Sequence, residues 1–315
     1  MFDFVGKKRW FLLASAIIIF AGIISLAVPG GLKPGIDFEG GISITLGPKE
    51  GETLALEEVE TTLSDLGHEE SRVQVLGEGD FFIRTRKLGE TDEEQVAEQA
   101  RLKGGLEEIG EIREFGSISA VVASETVRNA AIAVAVAALA VLLYITWAFR
   151  KMPSPFRYGT CAIVALVHDV LIVLTVFSFL GRILGWEIDP VFVTAVLAVI
   201  GYSVNDTIVV FDRIREAKGR ANAPDFPTLV NLSLTGTLGR SFNTSLTTIL
   251  AVLAIYLFVG GTIRNFTLAL LIGTIAGTYS SIFIASQLLV IWEKRDWRRG
   301  LGKVPLLKKL AIAQA

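Results

Sequence analysis

Disulfides, metal clusters and nucleic-acid surfaces are what this sequence has least material for. Its 315 residues hold one cysteine, Cys161, so there is no disulfide framework. That cysteine opens an apolar run and reads as a small buried hydrophobe. The two histidines, His68 and His168, leave no zinc cluster to build. No region joins a basic excess to interleaved aromatics, which excludes nucleic acid as a partner. The formal net charge is −2, but the signs are segregated along the chain. Apolar residues, by contrast, are abundant: 51% of the chain, with a mean hydropathy of +0.54. They fall in blocks rather than in the stripes of a soluble domain.

The first block, Trp10–Val28, is about 19 uncharged residues, enough to cross a bilayer as a helix and too long for a signal-peptide core. Five more follow: Ala130–Phe149, Thr160–Leu180, Val191–Phe211, Ser241–Val259 and Leu268–Trp292. Lys7, Lys8 and Arg9 precede the first. Arg150, Lys151 and Arg157 follow the second, and Arg213, Arg215, Lys218 and Arg220 follow the fourth. A basic tail, 294–315, follows the sixth. The alternate loops carry only Arg182 and Arg264. The positive-inside rule then predicts six spans with both termini cytoplasmic. The expected division is residues 1–30 (N-terminus and first span), 31–125 (an external domain), 126–293 (spans two to six) and 294–315 (a cytoplasmic tail).

The external segment alternates apolar and polar residues at Ile42, Ile44 and Leu46, as a half-buried strand does. Thr53 is placed to cap a helix bearing Leu56, Val59, Leu63 and Leu66 on one face. Arg72–Leu76 and Phe81–Arg86 read as strands joined by a turn at Gly77–Asp80. Thr91 and Glu94 form a capping box for a second helix with Val96 and Ala100 on its inner face. Gly110–Gly116 completes a β-α-β-β-α-β order, that of the ferredoxin-like split motif. The fold class expected is therefore a polytopic α-helical membrane protein of six spans, with an α+β ferredoxin-like external domain between spans one and two.

Polar residues inside apolar runs carry the functional signal, because an ionisable group at membrane depth is costly unless it has a partner or a hydrated cavity. Asp206 lies in the fourth span in GYSVNDTIVVFDRIRE, with Tyr202 on its face, Asn205 beside it and Ser203 and Thr207 on a neighbouring strip. Interhelical glue needs only Asn, Ser or Thr, so a carboxylate asks for another explanation. Its expected partner is Arg240, opening the fifth span in GRSFNTSLTT, where Asn243, Thr244 and further hydroxyls suit a hydrated path. His168 and Asp169 form an adjacent pair ~16 Å into the third span. Asp212, Arg213, Arg215 and Glu216 read as a solvated helix end. Gly273 and Gly277, followed by Ser280 and Ser281, read as a small-residue packing face. Just past the first span, GIDFEGG (Gly35, Asp37, Phe38, Gly40, Gly41) reads as a tight linker with solvated acids.

Taken together, GIDFEGG, ALVHDVLI, GYSVNDTIVVFDRIRE, GRSFNTSLTT and GTYSSIFIA, in that order, resemble the SecF family of bacterial protein-export subunits. The resemblance implies membership of the resistance–nodulation–division superfamily. It also implies pairing with SecD and action on a translocating preprotein beside the SecYEG translocon, with YajC and YidC as further candidate partners. It implies residence in the bacterial cytoplasmic membrane and use of the proton-motive force, with no covalent catalysis and no cofactor beyond the transported proton. Carried onto this chain, the family's proton-handling aspartate and arginine are Asp206 and Arg240, and a further aspartate comes from SecD. The alternatives are half of a lipid or drug exporter of that superfamily, and a passive assembly scaffold. An intramembrane enzyme built on His168–Asp169 lacks the second histidine or paired carboxylates that a metal site needs.

Overall fold

A computed structural model describes residues 2–76, 79–85, 92–220, 224–258 and 263–293. In chain order the elements are α1 (Lys8–Ala27), a single turn α2 (Ile36–Glu39), β1 (Gly41–Gly47), α3 (Leu56–Asp65), β2 (Arg72–Val75), β3 (Phe81–Thr85), α4 (Asp92–Ile109), β4 (Glu111–Ile118), α5 (Ala120–Ala148), α6 (Pro155–Leu184), α7 (Pro190–Lys218), α8 (Phe226–Phe258) and α9 (Arg264–Ser280). A π-helical turn, Ser281–Ala285, then carries the last helix on into α10 (Ser286–Glu293). The chain forms two compact units. One holds Met1–Lys33, Ala133–Trp186 and Val191–Ala315; the other holds Pro34–Ile132 and Glu187–Pro190.

Among the described residues, six helical stretches are long and apolar enough to cross a membrane: α1, α5, α6, α7, α8 and the continuous α9–α10. Large apolar side chains such as Trp10, Phe20, Leu139 and Leu143 stay more than half exposed, as a hydrocarbon solvent requires and water would penalise. The helices overrun the apolar blocks. Thus α8 begins at Phe226 rather than Ser241, because Leu229, Val230 and Leu234 are buried within a segment too polar on average to score as a span. Helix α9 approaches α7 through its glycines. A Cβ at Gly273 would lie 2.1 Å from Val199 Cγ2, and one at Gly277 2.9 Å from Ser203 Cβ. The small-residue face expected from the sequence is therefore a real contact.

The N-terminal residues are tied into the first unit. Asn231 Oδ1 accepts the N–H groups of Phe4 (2.8 Å) and Val5 (3.3 Å), and its Nδ2 donates to the Phe2 carbonyl (3.1 Å). The Phe4 and Phe11 rings both pack on Phe283, inside the π turn.

The second unit is a β-α-β-β-α-β arrangement whose four strands run in the order β2-β3-β1-β4, every neighbouring pair antiparallel. Ile42, Ile44 and Leu46 of β1 are buried with Phe81, Ile83, Val59, Leu63, Leu102 and Leu106. The alternation read in β1 is thus its core face. Three details differ from expectation. Ala55, not Thr53, precedes α3, and no side chain caps it. In α4, Val96 is 65% exposed, and Leu102 and Leu106 face the core instead; that pair with Ile109 continues a 4–3 spacing which Val96 and Ala100 do not share. The last strand runs to Ile118. Thr91, Gly77, Glu78 and the tail 294–315 lie outside the described residues, and with them the capping box and part of the turn. Leu76 N–H bonded to Asp80 O (2.7 Å) closes the hairpin.

Candidate functional site

Among the described residues two carboxylates are buried in the membrane helices, Asp169 of α6 at 1% exposure and Asp206 of α7 at 8%. Each is held by two serine hydroxyls from different helices. Ser241 of α8 donates to Asp206 Oδ1 and Ser281 to its Oδ2, both at 2.6 Å. Ser203 of α7 and Ser280 of α9 donate to Asp169 Oδ2 at 2.5 and 2.7 Å. His168 Nδ1 lies 3.0 Å from Asp169 Oδ1, and Tyr279 stacks on the His168 ring. Hydroxyl donors to an ionised carboxylate are short and charge-assisted, so they compensate part of its desolvation.

The local helix geometry explains why adjacent serines serve different acids. Successive α-helical residues project about 100° apart, and the π turn that opens at Ser281 widens that local spiral. Such turns recur where helices carry function. Ser280 is thereby directed to α6 and Ser281 to α7. A polar chain runs alongside: Tyr202 OH donates to Ser245 Oγ (3.0 Å), which pairs with Thr278 Oγ1 (2.5 Å).

Asp206 does not pair with Arg240. The same 100° step is the reason, since Ser241 faces Asp206 and its neighbour Arg240 is turned outward. Arg240 is exposed and forms no ion pair among the described residues, and Asn205, Asn243 and Thr244 are exposed as well. Of the residues expected near Asp206, Tyr202 and Ser203 are bonded into the interior, Tyr202 to Ser245 and Ser203 to Asp169. Asp212, Arg213, Arg215 and Glu216 are the solvated helix end expected of them, paired along their own helix.

The sequence assigned Ser280 and Ser281 to packing alone, left Ser203 in a polar strip and placed Ser241 among the hydroxyls of a hydrated path. Four buried serines facing two buried acids was the available signal, but it needs the helix pairing to be seen.

The GIDFEGG motif belongs to the other unit and holds a strap. Gly35 N–H donates to Ile188 O (2.8 Å), and a Cβ at Gly35 would sit 3.0 Å from that oxygen. Gly40 and Gly41 turn the chain into β1 at φ 79° and 141°; Phe38 lies half-buried in α2 between them and Gly35. Asp37 is not a solvated acid. It is half-buried, and its carboxyl is raised above the usual range by that burial and then by the charge of Asp189, with Arg84 opposing. Arg72 and Arg84, cross-strand partners on β2 and β3, both ion-pair with Glu187.

Like charges directly opposite on a sheet repel; Glu187 offsets this by pairing with both arginines, and the charges of Asp189 and Asp37 act favourably on Arg84 as well. Glu187→Ala is expected to weaken this unit by about 1 kcal/mol, since the exposure of Arg72 screens much of the interaction. Faster hydrogen exchange of the β2 and β3 amides in the full chain would register it; unchanged exchange would count against it.

Residues 101–295 match the family model described as protein export membrane protein SecD/SecF, C-terminal. Protein translocase subunit SecF of Thermobaculum terrenum is 44% identical, over 95% of this chain and 96% of its own length. The subunit of the same name from Anaerolinea thermophila is 40% identical, again over 95% and 96%. A crystal structure of SecDF from Thermus thermophilus, titled a translocon-associated membrane protein, matches with a TM-score of 0.76 at 32% identity. That match covers 93% of this chain but 39% of the SecDF chain. A second SecDF structure, in a super-membrane-facing form, matches at 0.63 and 30% identity and is covered to 40%. The chain thus spans about two fifths of those solved proteins.

Proposed function

Because the chain belongs to the SecD/SecF protein-export membrane family, we propose that it is the SecF-type accessory subunit of the Sec machinery, coupling the proton-motive force to late steps of preprotein export. The observation that carries the coupling is Asp206, an acid buried in a membrane helix, bonded to two hydroxyls and to no cation among the described residues. Gaining or losing one proton there changes the charge among packed helices and the hydrogen bonds that join them, and so favours one packing over another. His168 and Asp169 add a second titratable pair in the same unit.

SecD is the partner this reading needs. Arg240, Asn205, Asn243 and Thr244 are polar groups left exposed on membrane helices, where lipid is a poor neighbour. A SecD helix bundle is a fitting cover, and it would bring a hydrated path to Arg240. The SecDF relatives, whose chains are more than twice the span matched here, hold room for such a half. SecYEG, YajC and YidC follow from the same family reading as outer partners.

The β-α-β-β-α-β unit with strand order β2-β3-β1-β4 agrees with a ferredoxin-like fold. The basic loops favour placing it outside the cytoplasmic membrane, with both termini inside. No covalent step is assigned to it; its part is to move with the membrane helices and bear on the emerging preprotein.

The decisive experiment is reconstitution of this chain with its SecD in vesicles under an imposed proton gradient. Proton uptake together with gradient-dependent stimulation of export is expected. Co-purification with SecD but no proton movement would leave the passive scaffold as the better reading, and co-purification with neither SecD nor SecYEG would favour the exporter.

A further inference from the structure

We propose that Ser280 and Ser281 are positioning residues that couple the proton load of Asp169 to that of Asp206 by turning over their hydroxyls. The inference rests on the proton-coupled reading above and adds to it a second acid and the means of communication.

A serine hydroxyl carries one hydrogen and two acceptor lone pairs. Each of these two serines has two acceptors within reach. Ser280 Oγ lies 2.7 Å from Asp169 Oδ2 and 3.2 Å from Gly277 O. Ser281 Oγ lies 2.6 Å from Asp206 Oδ2 and 3.1 Å from Thr278 O. With the carboxylate ionised, the hydrogen goes to it, the shorter and charge-assisted choice. When the carboxyl takes up a proton, its own O–H becomes the donor. The serine oxygen then accepts that bond, and the serine hydrogen turns to the carbonyl one turn back. No proton is gained or lost by the serine in this exchange. Ser203 and Ser241 bond only to the carboxylates among the described residues, so the two-way choice belongs to the α9 pair.

Communication follows from which carbonyl Ser280 turns to. Gly277 O already accepts the backbone N–H of Ser281. A Ser280 hydroxyl arriving there shares the bond that fixes the first residue of the π turn, whose side chain holds Asp206. Protonation of Asp169 therefore reaches Asp206 through one carbonyl and one peptide unit. His168 is the only ionisable group within ion-pairing distance of either carboxylate among the described residues. The other groups bonded to them, from α7, α8 and α9 with its π turn, are serines.

The test uses the complex of this chain with its SecD in vesicles, following the Asp206 carboxyl by infrared difference spectroscopy across a pH titration; the band is assigned by its loss in Asp206→Asn. Ser281→Ala removes a donor to the ionised form and should raise the Asp206 midpoint pH, so that about tenfold less proton half-protonates it, and Ser281→Thr should return it. Ser280→Ala does not touch Asp206, yet should also shift that midpoint, by about fivefold. Ser233→Ala, which removes a buried hydroxyl bonded only to Leu229 O, should leave it unmoved. An Asp206 midpoint unchanged in Ser280→Ala, or moved equally by Ser233→Ala, overturns the coupling. Proton uptake by the wild-type vesicles is measured in parallel. Its absence would overturn the proton-coupled reading, whereas the titration shifts judge the serines on their own.

Discussion

Asp206→Asn is expected to reduce gradient-driven stimulation of export to the level seen with no gradient, while the chain still assembles with SecD. The two halves of that expectation have separate causes. Asparagine has the shape of aspartate and keeps its carbonyl oxygen for Ser241, while Ser281 can turn its hydrogen to Thr278 O and accept from the amide. Helix packing around the site is therefore retained. What is lost is the titration, because an amide neither takes up nor releases a proton in the working range. Export stimulation by imposed gradients in vesicles, with SecD co-purification as the control, measures both. A variant that is fully stimulated would remove Asp206 from the mechanism. A variant that no longer assembles would show that the carboxylate is chiefly an adhesive between α7, α8 and the π turn.

Gly273→Leu acts on the other quantity, assembly of the membrane unit. Its Cβ alone would stand 2.1 and 2.6 Å from the two methyl carbons of Val199, well inside contact distance. Overpacking of this kind costs about 1–3 kcal/mol, with more where the backbone cannot yield. Here α9 must move away from α7. That motion withdraws Ser280 and Ser281 from their carboxylates and leaves two buried acids short of donors, a further penalty. The expected result is loss of folded, SecD-bound protein in detergent, read as thermal stability and yield. Gly104→Ala is the matching control: a Cβ there meets nothing within 4 Å, and alanine suits a helix better than glycine. If Gly273→Leu is as stable as the wild type, the close approach of α9 to α7 is not required.

Some of this arrangement is legible from residues alone, and the divide has a physical basis. Six spans emerge because hydropathy sums over about 20 residues and tolerates local exceptions. The β1 face emerges because Ile42, Ile44 and Leu46 alternate cleanly. Depth along a helix is also legible, which is why Asp206 and Arg240 look like partners: they lie at similar levels. Azimuth is not. One residue turns a helix by 100°, and that step gives the acid to Ser241 and sends Arg240 outward. Ser280 and Ser281 were hidden for a different reason, since a small residue on a helix face serves packing and hydrogen bonding equally well. The bridge from Glu187 to Arg72 and Arg84 joins positions more than 100 residues apart, with no local periodicity to betray it.

The clasp of Asn231 on Phe2, Phe4 and Val5 bears on how the protein is handled at the bench. Those residues are not a spare leader to which anything can be attached; they lean through Phe4 on Phe283 and so on the turn that carries Ser281. A purification tag or fluorescent fusion joined tightly ahead of Phe2 is expected to strain the turn whose Ser281 holds Asp206. Labels for single-molecule or cross-linking work are better carried at exposed positions outside the clasp, for example Glu57 or Lys103 of the β-α-β-β-α-β unit.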